Sequence, residues 1–164
     1  MPDAASPADG YSPHDHKPLG SYAAFTVAFD ALVAAYVVAE RRRGSGLVER
    51  IPLGDFALLA LATQKLSRNI SKARVTSFLR APFTRYLGEA GPSEVSEEPR
   101  GTGLRRATGE LLVCPYCLAQ WVAAALVGGY LHNPAVTRRL ASMFALHSAA
   151  DFLHLGYVAL EEKT

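Results

Sequence analysis

Cys114-Pro115-Tyr116-Cys117 is the sharpest chemical signal in the chain. A CxxC can supply half of a tetrahedral zinc site, can cycle between dithiol and disulfide, or can simply pack as small apolar side chains. Zinc needs two further ligands, and the last apolar stretch offers His147, Asp151 and His154. At 100° per residue those three fall within about 60° of one another on a helix. If that helix runs back past the cysteines, His147 stands roughly 10 Å further along the axis than His154. The zinc set expected is therefore Cys114, Cys117, Asp151 and His154. Packing, with Pro115 bending the helix mouth, is the reading that demands least. A haem between His147 and His154 is disfavoured, because both would approach the iron from one helix face.

Three other groups could do chemistry. Arg100-Gly101-Thr102-Gly103-Leu104-Arg105-Arg106 places glycines around a threonine ahead of a helix, where backbone N–H groups can converge on an anion. It lacks the spacing of a nucleotide-binding P-loop. With Arg80 and Arg85 it could hold an anionic lipid headgroup at the inner leaflet. The bland counterpart, held as equal, is that Glu97 and Glu98 pair with those arginines and Gly-Thr-Gly only turns the chain. Glu97, Glu98 and Glu110 are the obvious acid–base groups for a headgroup hydrolase or transferase, with no pairing readable between them. No catalytic residue is assigned, and a non-enzymatic protein is preferred. His14 and His16 form an HxH in a Pro-rich arm, a spacing that chance readily produces.

The elements that must position these groups are apolar blocks separated by charge. The 164 residues suit one domain or one short membrane bundle. Hydrophobic residues reach 49% and charged residues 20%, yet mean hydropathy is only +0.09, an average made by mixing unlike segments. A net charge of +2 is too mild for nucleic acid, and two cysteines cannot make a secreted disulfide framework. Residues 1–20, with four prolines, read as a disordered arm. Residues 22–39 are apolar except for Asp30 and run into Arg41-Arg42-Arg43. As a helix they extend about 27 Å, enough to cross a hydrocarbon core. Residues 111–131 and 140–160 are long enough to span as well. Residues 51–64 are shorter and read as a re-entrant or interfacial helix.

Lys65, Arg68, Lys72, Arg74, Arg80 and Arg85 follow that segment without an acidic residue among them. The positive-inside rule asks for both basic clusters in the cytoplasm. The expectation is three spans, an outside N-terminus and a polar cytoplasmic loop over 65–110. A four-span arrangement with the N-terminus inside is the alternative. Asp30, His147, Asp151 and His154 are costly at bilayer depth, so they should face the bundle interior. Interhelical hydrogen bonding is preferred over a proton relay, with Asp30 meeting His147 or Asp151. The aromatics and arginines of 77–86 suit the headgroup layer.

Several stretches together resemble domain of unknown function 1360, a family of small bacterial multi-pass proteins. They are Leu61 to Arg68, Val75 to Thr84, Glu97 to Gly103, Gly109 to Cys117, Trp121, and Ala150 to His154. The resemblance covers about residues 50–158 and implies a bacterial inner-membrane protein, some relatives being linked to sporulation. It implies no reaction, ligand or catalytic residue. Gln64 departs from the histidine that relatives often carry. The tetrapeptide alone is similar to the active site of glutaredoxins, but that fold needs strands and helices alternating around the motif.

The expected protein is thus an all-α membrane bundle: a scaffold or accessory subunit meeting anionic lipid, a protein partner or another copy of itself. A zinc or thiol-redox site at the CPYC is the alternative.

Overall fold

The computed structural model describes residues 11, 12, 15, 17–44 and 50–163; His14, His16 and most of the N-terminal arm lie outside them. Six helices and one hairpin follow in the order α1 (Leu19–Arg42), α2 (Leu53–Lys72), α3 (Ser77–Arg80), β1 (Thr84–Gly91), β2 (Glu94–Pro99), α4 (Gly103–Val113), α5 (Pro115–His132) and α6 (Pro134–Glu161). A 3-10 turn over Arg74–Thr76 links α2 to α3.

Local chemistry accounts for the breaks. Pro115 occupies the first position of α5, and a residue preceding proline is pushed out of the helical region. Cys114 accordingly stands at φ −102° and ψ 102°, and the chain turns by 84° between α4 and α5. The continuous helix expected over 111–131 is therefore two helices. At the other end of α5, Asn133 caps α6 by accepting the Val136 N–H at 3.1 Å, and Pro134 takes the first helical position. That single residue reverses the chain.

The all-α expectation fails over residues 84–99. β1 and β2 pair antiparallel, with Arg85 opposite Glu98 and Tyr86 opposite Glu97, and two register irregularities lie along β1. The segment read as a polar loop over 65–110 holds the end of α2, the hairpin and α4. The turn signal Gly91-Pro92-Ser93 was present, but the strands carry so many charges that their alternation is masked.

The short helix expected over 51–64 also changes role. α2 is 20 residues long and packs chiefly against α6 and α5, with Leu59, Ala62, Tyr130 and Ala141 at the centre of the core. Helix directions follow from the partners. Asp55 binds Arg138 and Lys65 binds Asp151, so α2 and α6 run parallel. Tyr22 hydrogen-bonds Glu110, Phe29 meets the Trp121 ring edge-on at 5.1 Å, and the Tyr36 hydroxyl donates to Gly128 O at 2.7 Å, so α1 runs parallel to α5. α1, α2, α5 and α6 therefore alternate in direction. Arg41–Arg43 sit at the end where α2 and α6 begin, and the hairpin sits at the opposite end. The two basic clusters therefore lie at opposite ends of the bundle.

Two helices, α1 and α6, are long and apolar enough to cross a membrane; α4 and α5 pass that test only as a bent pair. The α1 surface is exposed over its apolar window, including Val27, Leu32 and Val38, and so are Phe152, Leu153 and Leu155 on α6. Water would penalise such surfaces at about 25 cal/mol per Å²; lipid does not.

The α2–α6 seam is polar at intervals. Asp55 accepts a bidentate Arg138 at 2.9 and 2.6 Å and a hydrogen bond from Tyr130, whose ring lies 5.5 Å beneath the same guanidinium. Further along, Ser148 Oγ donates to Gln64 Oε1 at 3.0 Å, and then Lys65 binds Asp151. Lys65 is buried while Asp151 is partly exposed, so Lys65→Met unpairs the carboxylate without leaving it fully buried. We expect that substitution to lower stability by about 1–3 kcal/mol. Lys65→Met with Asp151→Leu should recover most of the loss, as read by thermal unfolding in detergent.

Candidate functional site

The densest polar construction is at the hairpin end. Arg80 closes α3, is fully buried, and spends its donors on five partners. Nε binds Glu97 Oε2 at 2.6 Å; Nη1 donates to Ile70 O at 2.6 Å and Thr76 Oγ1 at 2.8 Å; Nη2 donates to Ala73 O at 3.1 Å and Ser77 Oγ at 3.2 Å. The carbonyls of Ile70 and Ala73 belong to the end of α2, where helical carbonyls lack internal partners. One guanidinium thus caps α2, braces α3 and anchors β2.

The remaining arginines of the run are also engaged. Arg68 binds Glu94 through two bonds at 2.7 and 2.9 Å, Arg74 binds Glu89 at 2.6 Å, and Arg85 binds Glu98 at 3.1 Å across the hairpin. Arg100 donates to Ala81 O at 2.9 Å and Arg105 to Pro82 O at 2.8 Å. Arg106 reaches Glu110 at 3.1 Å and Asp15 at 2.7 Å. Its hydrogen bond to Glu110 raises the Arg106 pKa, and the Lys17 ammonium beside Asp15 holds that carboxyl below its usual range.

The anion site expected from Arg80, Arg85, Arg100, Gly101, Thr102, Gly103, Arg105 and Arg106 is therefore not an open cradle. Gly101 and Gly103 take positive φ of 84° and 54°, and the Gly-Thr-Gly turn serves to start α4. Its arginines bind the backbone of the preceding loop. The glutamates do pair with arginines, but with Arg80 and Arg85 rather than with those nearest in sequence. Glu97, Glu98 and Glu110 point to separate partners, so they form no acid–base pair.

The metal set does not assemble. Cys114 and Cys117 are joined as a disulfide, which removes the thiolates zinc requires. Asp151 is taken by Lys65, with His147 Nε2 3.8 Å from its other oxygen, and His154 is exposed. Among the described residues no three His, Cys, Asp or Glu side chains converge as a metal site. Asp30 was expected to meet His147 or Asp151. It is instead exposed on α1, without a hydrogen bond or ion pair among the described residues. Lys65, taken for a loop residue, is the true partner of Asp151. Local sequence gave no cue to it, since the partner lies 86 residues away.

A groove of about 530 Å³ runs between α2 and α5, lined by Phe56, Leu59, Ala60, Thr63, Tyr116 and Ala119 among others. A second of about 450 Å³ lies between α1 and α5, with Phe29, Tyr36, Trp121 and Gly128 on its walls. Gly128 and Gly129 sit at close contacts: the Tyr36 ring lies 3.6 Å from where a Gly128 Cβ would stand, and Thr137 Oγ1 is 3.1 Å from that of Gly129.

The family described as protein of unknown function (DUF1360) matches residues 58–157. The chain belongs to the DUF1360 family. No curated protein and no solved structure matches it. The matched stretch contains Lys65 with Asp151, Arg80 with Glu97, the hairpin and the CPYC, while α1 precedes it. The stretches that carried the DUF1360 resemblance coincide with joints between elements. Gly109 is another joint: a Cβ there would stand 2.6 Å from Phe83 O and 3.1 Å from Pro99 Cβ. Gly109→Ala must push α4 off the hairpin, and we expect a loss of about 1–3 kcal/mol. Arg80→Met should cost about 3–5 kcal/mol by stranding Glu97. Both are read from thermal unfolding, with Arg105→Ala as the milder surface control.

Proposed function

We propose that this chain is a membrane-embedded scaffold in the inner membrane of a bacterial cell, non-enzymatic, with its hairpin end seated on the cytoplasmic face. The observation that carries this is the split between the two kinds of surface. The arginines at the hairpin end are consumed internally, and what projects from that end instead is apolar: Val75, Phe78 and Leu79 are exposed, with Lys72 and Arg74 beside them. These residues directly follow α2, whose flanks are α5 and α6. If those helices cross the bilayer, α3 lies at headgroup depth, where aromatic and basic side chains both gain.

The alternating helix directions favour four crossings, with the start of α1, the hairpin and the end of α6 together on one side. α2 is the least apolar of the four. Its buried Lys65 and its Gln64 are satisfied by Asp151 and Ser148, which lowers the cost of placing them among apolar helices. The hairpin end also carries the larger share of Lys and Arg, which supports a cytoplasmic seat by the positive-inside rule. Anionic lipid is the contact this reading favours, now through Lys72, Val75, Phe78 and Leu79 rather than the glycine-flanked arginines.

Two measurements test it. In a background where both native cysteines are serine, Arg42→Cys and Ser93→Cys should be labelled by impermeant maleimide from opposite sides of sealed vesicles. Labelling from the same side refutes the arrangement. In nanodiscs, replacing zwitterionic by anionic lipid should raise the unfolding temperature of the native protein. Lys72→Glu combined with Phe78→Ser should abolish most of that gain; an unchanged gain refutes the lipid contact.

A further inference from the structure

The CPYC pair is not absorbed by the scaffold, and its geometry is unusual for a structural disulfide. The bond joins two residues within the first turn of a single helix, so it ties no separate elements together. Closing so short a loop also removes little freedom from the unfolded chain. A bond with so small a structural return invites a chemical explanation. Three features supply one. Cys117 is exposed, and Tyr116 beside it is 88% exposed, so the bond is reachable from outside the protein. Cys114 is the residue that caps α5, and its Sγ accepts the Cys117 backbone N–H at 3.2 Å. Pro115 and Tyr116, the residues between the cysteines, line the end of the groove between α2 and α5, whose walls are otherwise mostly apolar.

We propose that Cys114–Cys117 is a thiol–disulfide exchange site acting on a dithiol of a partner polypeptide. Cys117 is the sulfur attacked and Cys114 the leaving thiolate. In the first step a partner thiolate forms a bond to Cys117 Sγ. The Cys114–Cys117 bond breaks, and its electron pair goes to Cys114 Sγ. The Cys117 N–H and the amino-terminal end of α5 already face that sulfur, and both favour negative charge there. A thiolate so stabilised leaves more readily. In the second step the partner's other thiolate attacks its own sulfur in the mixed disulfide and releases Cys117, which takes up a proton. The partner loses two electrons and two protons to become a disulfide; the CPYC pair gains the two electrons and no other oxidant takes part. Apolar residues flanking the partner's cysteines would lie in the groove beside Tyr116. This site is independent of the lipid contact proposed above, since none of its residues belongs to that surface.

The test uses the full chain in detergent micelles with glutathione as the probe. Equilibration across mixtures of reduced and oxidised glutathione, followed by trapping with maleimide, should show the pair interconverting fully while the unfolding temperature stays unchanged. Trapping early during reduction should place the glutathione adduct on Cys117 by peptide mass. In Cys117→Ser, alkylation of Cys114 by iodoacetamide at pH 7 should be several-fold faster than in the same protein unfolded, and the advantage should shrink in Cys117→Pro, which lacks the N–H. The proposal is overturned if reduction lowers the unfolding temperature sharply, because the bond is then structural. It is equally overturned if glutathione cannot reduce the pair, or if the adduct forms on Cys114.

Discussion

A guanidinium with no access to water organises one whole end of this molecule. Arg80 has five N–H groups in a fixed fork, and each finds an acceptor from α2, the turn after it, α3 or β2. Burying such a group is unfavourable unless its charge and all its hydrogen bonds are satisfied. The backbone of residues 70–80 must therefore fold around it, and Glu97 must be delivered by the hairpin. Thr84 Oγ1 and the Phe83 N–H both return to Arg80 O at 2.9 and 2.8 Å, which fixes where β1 starts. Phe83 O then accepts the Arg100 N–H and lies against Gly109, so α4 inherits its seat from the same point.

The bundle follows the same logic at lower density. α2 carries a carboxylate, an amide and an ammonium along the face it turns to α6, and α6 answers each with a partner. Between these rungs the seam narrows to Ala62, Ala141 and Ala145, small residues that let the helices approach closely. Polar groups inside a helical bundle set register, because a shift of one turn would strand every rung at once. The outer surfaces of α1 and α6 carry no such specification and are simply apolar.

Some of the architecture could be read directly from residue order. The apolar lengths of α1 and α6, and the stretches around Lys65, Arg80, Glu97, Gly109 and Asp151 that carry the family resemblance, were all visible. The hairpin was not, because Arg85, Glu89, Glu94, Glu97 and Glu98 replace the apolar residues that normally betray strand alternation. The arginine cluster forms no open anion cradle for a related reason. A row of arginines looks open until the acidic segment that folds onto it is in place.

What residue order settled by itself was local: which segments are oily enough for a membrane, and to which family the chain belongs. These depend on hydropathy and short motifs, all contained within a few turns. The tertiary structure alone decided who partners whom. Lys65 and Asp151 are 86 positions apart, Tyr22 and Glu110 are 88, and Arg80 and Glu97 are 17. Coulomb attraction and hydrogen bonding act through space rather than along the chain. Only the packed helices could turn a stripe of basic residues into a set of closed ion pairs, and place the cysteines at an accessible helix start beside an apolar groove.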